Sequence, residues 1–247
     1  MPGEDDFVMS VRSTVVEGRR AWIKSYSDGG TRRFSLAVLD AIARRLGLSA
    51  LRPPPHRSGR KAKDTEARRL RELHAQGAPV PALLGEDETT LRLGDLGPSL
   101  AMRLREAGGD HQRVDALTRA AITAIGTAHQ RGAYFGQPVP RNIAVDEAGN
   151  IGFLDFEEDP LEVMTLEQAQ ARDWVLFTFG IAPYYDDRPD ALIGMLNQAF
   201  REEPVDVGLH ARAVGDRLHW LERPLRRLGR SARALAHSIF AIRSAAT

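Results

Sequence analysis

The chain of 247 residues has no cysteine. Disulfides and thiolate metal sites are therefore excluded, and a reducing compartment suits the composition. No apolar run approaches the roughly 18 residues needed to span a bilayer. The opening decapeptide, MPGEDDFVMS, is acidic and has no apolar stretch of the signal-peptide kind, so a cytoplasmic location is expected. Aromatic residues make up 6% and are not interleaved with the basic runs, which argues against single-stranded nucleic-acid binding. The order Ser-His-Asp and the GxSxG elbow are both missing. Seven histidines are scattered without metal-ligand spacing. What is present, 43% hydrophobic and 27% charged residues, is ordinary for a globular protein. The length allows one large domain or two lobes.

Net charge is +1 but uneven. Residues 44–71 carry ten basic side chains against two acidic ones, Asp64 and Glu66. Residues 212–233 carry seven arginines against Asp216 and Glu222. Such runs meet phosphates of nucleic acid, lipid or glycolipid, or simply form solvated helix faces.

Along the chain, residues 8–26 predict a hairpin turning at Glu17-Gly18. A helix is expected over 35–46, from Leu36, Leu39, Ala43 and Leu46. RPPPHRSG, 52–59, reads as a stiff linker. A second helix is expected over 64–74, capped by Asp64 or Thr65 and ended by Gly77. Short strands follow around 82–84 and 90–93, then a turn-rich joint at 94–98. Beyond it helices are expected over 115–131, 166–179, 190–200, 209–221 and 232–245. Trp174 and Phe177 are assigned to the core, and His129 to a satisfied polar position on a buried helix.

The densest signal is GAYFGQPVPRNIAVDEAGNIGFLDFEED, 132–159. Asn142 and Asp155 stand thirteen residues apart, separated by a strand, a turn at Glu147-Ala148-Gly149-Asn150 and a second strand. A carboxylate at a strand end beside an amide offers the hard oxygen ligands that magnesium on phosphates requires. Upstream, Lys24 ends the strand Ala21-Trp22-Ile23-Lys24. A lysine there holds phosphates as a point charge if a carboxylate orients it, and Glu66 is the candidate. Each residue alone has an everyday reading: a surface lysine, a turn aspartate. The ordered set of four is more specific.

Through these motifs and their order, the chain resembles the protein-kinase-like superfamily. It is most similar to bacterial lipopolysaccharide-core (heptose and Kdo) kinases and to RIO-type small kinases. The resemblance covers roughly residues 10–180: GRRAWIKSY, then a basic and proline-containing insertion over 44–63, DTEARRLRELHAQGAPVPALL, the 132–159 region and Arg172-Asp173. It implies an α+β, bilobal fold, with a small β-rich nucleotide-binding lobe (1–98) and a larger helical lobe (99–247). It implies ATP and magnesium as cofactors. Lys24 would contact phosphates, Glu66 would pair with it, Asn142 and Asp155 would bind the metal, and Asp173 would brace the catalytic loop. The implied activity is phosphoryl transfer to a hydroxyl of an anionic sugar or glycolipid, with peripheral contact at the inner membrane face. No nucleic-acid partner is expected.

Three departures stand out. Gln137 occupies the position of the catalytic Asp, five residues before Asn142, and Phe135 that of the preceding His. An amide accepts no proton, and losing a general base typically costs about 10²–10⁴-fold. Phosphoryl transfer depends mostly on positioning, however, and Gln137 can orient a hydroxyl. Pro138 and Pro140 stiffen the loop, leaving Arg141 as a phosphate contact or plain surface charge. The metal triplet reads Asp155-Phe156-Glu157. Glu157, Glu158 and Asp159 add a further metal ligand, a replacement base, or an acidic loop facing the basic linker. A Gly-rich phosphate loop is missing, and Trp22 packs against the nucleotide cleft or fills it. The alternative to an active phosphotransferase is a pseudokinase that binds nucleotide or a protein partner.

Overall fold

A computed structural model describes residues 10–27, 43–45 and 47–245. The helix expected over 35–46 lies largely outside the described residues, with 43–45 helical.

The architecture is α+β. Strands β1 (Ser10–Val16) and β2 (Arg19–Ser25) form the expected hairpin. Its two-residue turn places Glu17 at φ 50° and Gly18 at φ 77°. Two positive φ values in succession match the twist of the flanking strands, which is why a glycine sits there. Strands β3 (Leu83–Glu86) and β4 (Thr90–Gly94) complete an antiparallel sheet of order β1-β2-β4-β3. The register sets Lys24 of β2 between Val11 of β1 and Leu91 of β4. Trp22, Lys24 and Tyr26 share one face, because strand side chains alternate.

Helix α1 (Gly59–Ala75) packs across β3 and β4. It starts five residues before the position expected from Asp64. The run Arg60-Lys61-Ala62-Lys63 is made of strong helix formers, and the helix extends back through it to Ser58. Thr65 does not cap: its hydroxyl donates to the Lys61 carbonyl one turn back, at 2.9 Å. Gly77, at φ 70°, ends the helix as expected.

Helix α2 (Leu100–Ala107), capped by Ser99, has no counterpart among the expected elements. Helix α3 (His111–Gln130) starts at an Asp110 cap, four residues early. The hairpin of β5 (Ile143–Val145) and β6 (Ile151–Phe153) follows. It hangs from two proline carbonyls: Val145 donates to Pro98 and Phe153 to Pro79, both at 2.8 Å. Helix α4 (Leu166–Ile181) opens with a Thr165–Gln168 capping box and is buried along most of its length. Helices α6 (Val205–Leu218) and α8 (Arg230–Ala245) pack against it, and α5 (Pro189–Glu202) and α7 (Glu222–Arg226) pack against α8.

Trp174 and Phe177 are fully buried, as expected, and Trp174 meets Phe177 edge-on with ring centroids 6.3 Å apart. The main apolar core runs from Leu70 and Leu91 through Ile125 and Phe153 to Leu196 and Ile242. Among the described residues, no helix is long and apolar enough to cross a membrane.

Candidate functional site

Lys24 is buried, and its Nζ donates to Glu66 Oε2 at 2.6 Å and to Asp155 Oδ1 at 2.8 Å. Glu157 Oε2 lies 3.9 Å from the same ammonium. Burial alone would lower the Lys24 pKa, but Glu66, then Asp155 and Glu157, more than reverse this and raise it. Glu66 is 1% exposed and accepts a second hydrogen bond from Tyr26 Oη at 2.6 Å. Tyr26 is a site residue that the sequence reading missed. Its signal is its spacing, two residues beyond Lys24 on the same strand face. Burial, then Glu66, raises its pKa.

Helix α1 holds Glu66 in place through the residues that follow it. Arg68 donates to Asp159 Oδ2 at 2.7 Å, and Arg69 to the Tyr134 carbonyl at 2.6 Å. The Arg69 guanidinium stacks 3.8 Å from the Tyr134 ring centroid, and the Tyr134 hydroxyl donates to Asp159 at 2.5 Å. These contacts tie the helix to both loops that flank the β5–β6 hairpin.

Asp155 follows that hairpin at φ 74°. A non-glycine residue in this region is strained by about 1–3 kcal/mol, and such strain is retained mostly at functional sites. Leu154 N–H donates to the Asn142 carbonyl at 2.8 Å, so the two loops are joined next to Asp155. Asn142 Nδ2 donates to the Gln137 carbonyl at 3.1 Å.

Carboxylate oxygens of Glu66, Asp155 and Glu157 all lie within 4.8 Å of one another. Three carboxylates face one ammonium, leaving local negative charge in excess. Its effect shows on Glu157: burial, then the charges of Asp155, Glu66 and Glu158, push its pKa up to about 7 against the pull of Lys24. A hard divalent cation fits that donor set.

A cavity of about 350 Å³ opens beside this cluster. It is lined by Val11, Trp22, Leu93, Leu96 and Leu154, and by Lys24, Glu66, Arg141, Asn142 and Asp155. An apolar cleft with a few convergent charged groups is the usual form of a small-molecule site. Trp22 lines it without closing it, held by an Nε1 bond to Asp95 at 2.7 Å.

A second, polar cavity of about 160 Å³ adjoins it, sharing Arg141 and Asp155. Gln137, Glu157, Glu158 and His56 line this one. Gln137 Nε2 donates to Glu158 Oε2 at 3.0 Å. The linker packs against the acidic loop here: Arg57 pairs with Glu162, Arg52 donates to the Val163 carbonyl at 2.8 Å, and His56 lies 3.6 Å from Glu158.

Behind the Gln137 loop, Asp173 is fully buried and accepts the backbone N–H groups of Phe135 and Gly136, both at 2.6 Å. Arg172 Nε donates to the Gly136 carbonyl at 2.9 Å. His129 is sandwiched between Asp173 (3.2 Å) and Glu203 (2.8 Å). Burial would lower its pKa, but those two hydrogen bonds raise it to about 9, so it is an imidazolium donating from both nitrogens. The sequence reading placed His129 as a satisfied buried residue; its partners, from α4 and the residue after α5, were not legible there.

The sequence matches no model of a known protein family and no curated protein. Lys24, Glu66, Asp155 and Glu157 are in mutual contact range. Asn142 and Arg141 join them along the larger cavity, and Gln137 stands apart in the smaller one.

Proposed function

We propose that this chain is an ATP- and magnesium-dependent phosphotransferase of bilobal, protein-kinase-like type, acting on a hydroxyl of a sugar or glycolipid. The observation that carries the reading is the buried Lys24–Glu66–Asp155 contact beside an apolar cleft. It joins three residues from distant parts of the chain, in the order the motifs require.

The apolar cleft takes the nucleotide base, and Lys24, oriented by Glu66, holds its phosphates as a point charge. Asp155, Asn142 and Glu157 hold magnesium, which neutralises charge on the phosphates when bound. Arg141, between the two cavities, adds a phosphate contact. Gln137 orients the acceptor hydroxyl in the smaller cavity. The basic segments favour an anionic acceptor and contact with the inner membrane face.

Calorimetry with ATP tests this. Binding is expected in wild type, strengthened by magnesium and lost in Asp155→Ala, which stays folded. Acceptor screening with sugars and lipid A precursors then follows. Full phosphoryl transfer by Asp155→Ala would refute the reading.

The Gln137–Glu158 hydrogen bond favours a second reading, a pseudokinase that binds nucleotide or a protein partner. The amide takes no proton and is already engaged by a carboxylate. Metal-dependent ATP turnover that falls about 10²-fold in Gln137→Ala, the scale of a misplaced reactant, would exclude it.

A further inference from the structure

We infer that residues 219–228 form a docking face for an anionic lipid bilayer. The chain runs helically through this stretch: a 3-10 turn at His219–Leu221, α7, then turn bonds from Arg227 to Pro224 and from Leu228 to Leu225. Helical spacing sets Trp220, Arg223, Pro224, Arg227 and Leu228 on one side. All five are exposed. Trp220 and Leu228 expose 59% and 60% of their surface.

The single acidic residue of the segment, Glu222, faces the other way. It is 9% exposed and accepts from Arg243 at 2.9 Å. The outward side therefore carries an indole, a leucine, a proline and two arginines, with no carboxylate of its own. Scattered exposed apolar residues need no explanation. A tryptophan and a leucine interleaved with arginines on one helical side do, because this is the pattern of a helix lying in the membrane interface. Indole rings favour the headgroup level, and arginines there are drawn to anionic lipid.

Other occupants fit less well. A two-fold pair of chains joined through this face would bring Arg223 and Arg227 of one copy against those of the other. Single-stranded nucleic acid is held by successive stacking aromatics, and the face has one.

The inference rests on the membrane-contact part of the proposed function and is independent of the phosphotransfer part. The test sediments the full chain with phosphatidylcholine vesicles, with and without phosphatidylglycerol, in the absence of nucleotide. Wild type is expected to bind the anionic vesicles and not the neutral ones, less at high salt, with a blue shift in tryptophan emission. Arg223→Gln/Arg227→Gln should weaken binding roughly 30-fold, at about fivefold per arginine near an anionic surface. Trp220→Ser should weaken it about tenfold and abolish the blue shift. Both variants change exposed side chains only, so their circular dichroism and ATP binding should match wild type.

Failure of wild type to bind anionic vesicles would overturn the inference. So would equal binding by the arginine pair variant, RNA binding lost in that variant without vesicle binding, or a dimer in solution that it dissolves. Loss of ATP binding with vesicle binding intact would instead remove the phosphotransfer reading alone.

Discussion

Lys24 and Glu66 should be energetically coupled, and a double-mutant cycle can measure the coupling. Lys24→Met leaves the Glu66 carboxylate buried, with Tyr26 Oη at 2.6 Å as its remaining side-chain donor. Breaking a buried pair in this way costs about 3–5 kcal/mol. Glu66→Gln is milder, because Lys24 keeps Asp155 at 2.8 Å and the amide oxygen still accepts from Tyr26. Losing the charge-assisted part of those bonds costs about 1.5–3 kcal/mol. Were the two changes independent, their sum would be about 5–8 kcal/mol. The double variant buries neither the orphaned carboxylate nor the lysine, so it should cost no more than Lys24→Met alone, leaving a coupling of at least about 1.5–3 kcal/mol, the cost of Glu66→Gln by itself. Urea unfolding provides the assay, with the midpoint shift read at constant slope. Additivity within about 0.5 kcal/mol would refute the claim that the two residues act as one unit.

Stability should also depend on pH through His129. Its folded pKa of about 9 exceeds the ordinary 6.5, so its contribution is complete below about pH 6.5 and disappears as pH rises through 9. The size is on the order of 3 kcal/mol, and the difference between wild type and His129→Gln, followed by urea unfolding from pH 6 to pH 10, should shrink accordingly. A constant difference would show that the imidazolium is not formed. Asp173→Ala orphans two buried N–H groups and that imidazolium, and should lower unfolding free energy by about 3–5 kcal/mol; a loss under about 1 kcal/mol would remove it as the brace of the Gln137 loop. Gly136→Ala puts a Cβ 2.9 Å from Pro160 Cγ at φ 89°. A thermal melt should show it destabilised by about 1–3 kcal/mol.

Much of the local structure was written in the sequence. The Glu17-Gly18 hairpin, the β5–β6 pair and helices α4, α5, α6 and α8 follow from period and turn chemistry, which act over a few residues. Element starts were less legible. Helix α1 reached back to Ser58 through good helix formers, and α2 and α7 went unseen, because short range propensities do not say how far packing will extend a helix. The sequence also put Lys24, Glu66, Asn142 and Asp155 in a meaningful order. It could not bring them within reach of one another: Lys24 and Asp155 are 131 residues apart, and the β5–β6 hairpin that leads into Asp155 is held by the Pro79 and Pro98 carbonyls, from two other segments of the chain. The charge state of the site is tertiary for the same reason. Tyr26 as a second donor to Glu66, the Glu157 carboxyl near 7 and the imidazolium of His129 all depend on burial and on partners from other elements, which no local pattern specifies.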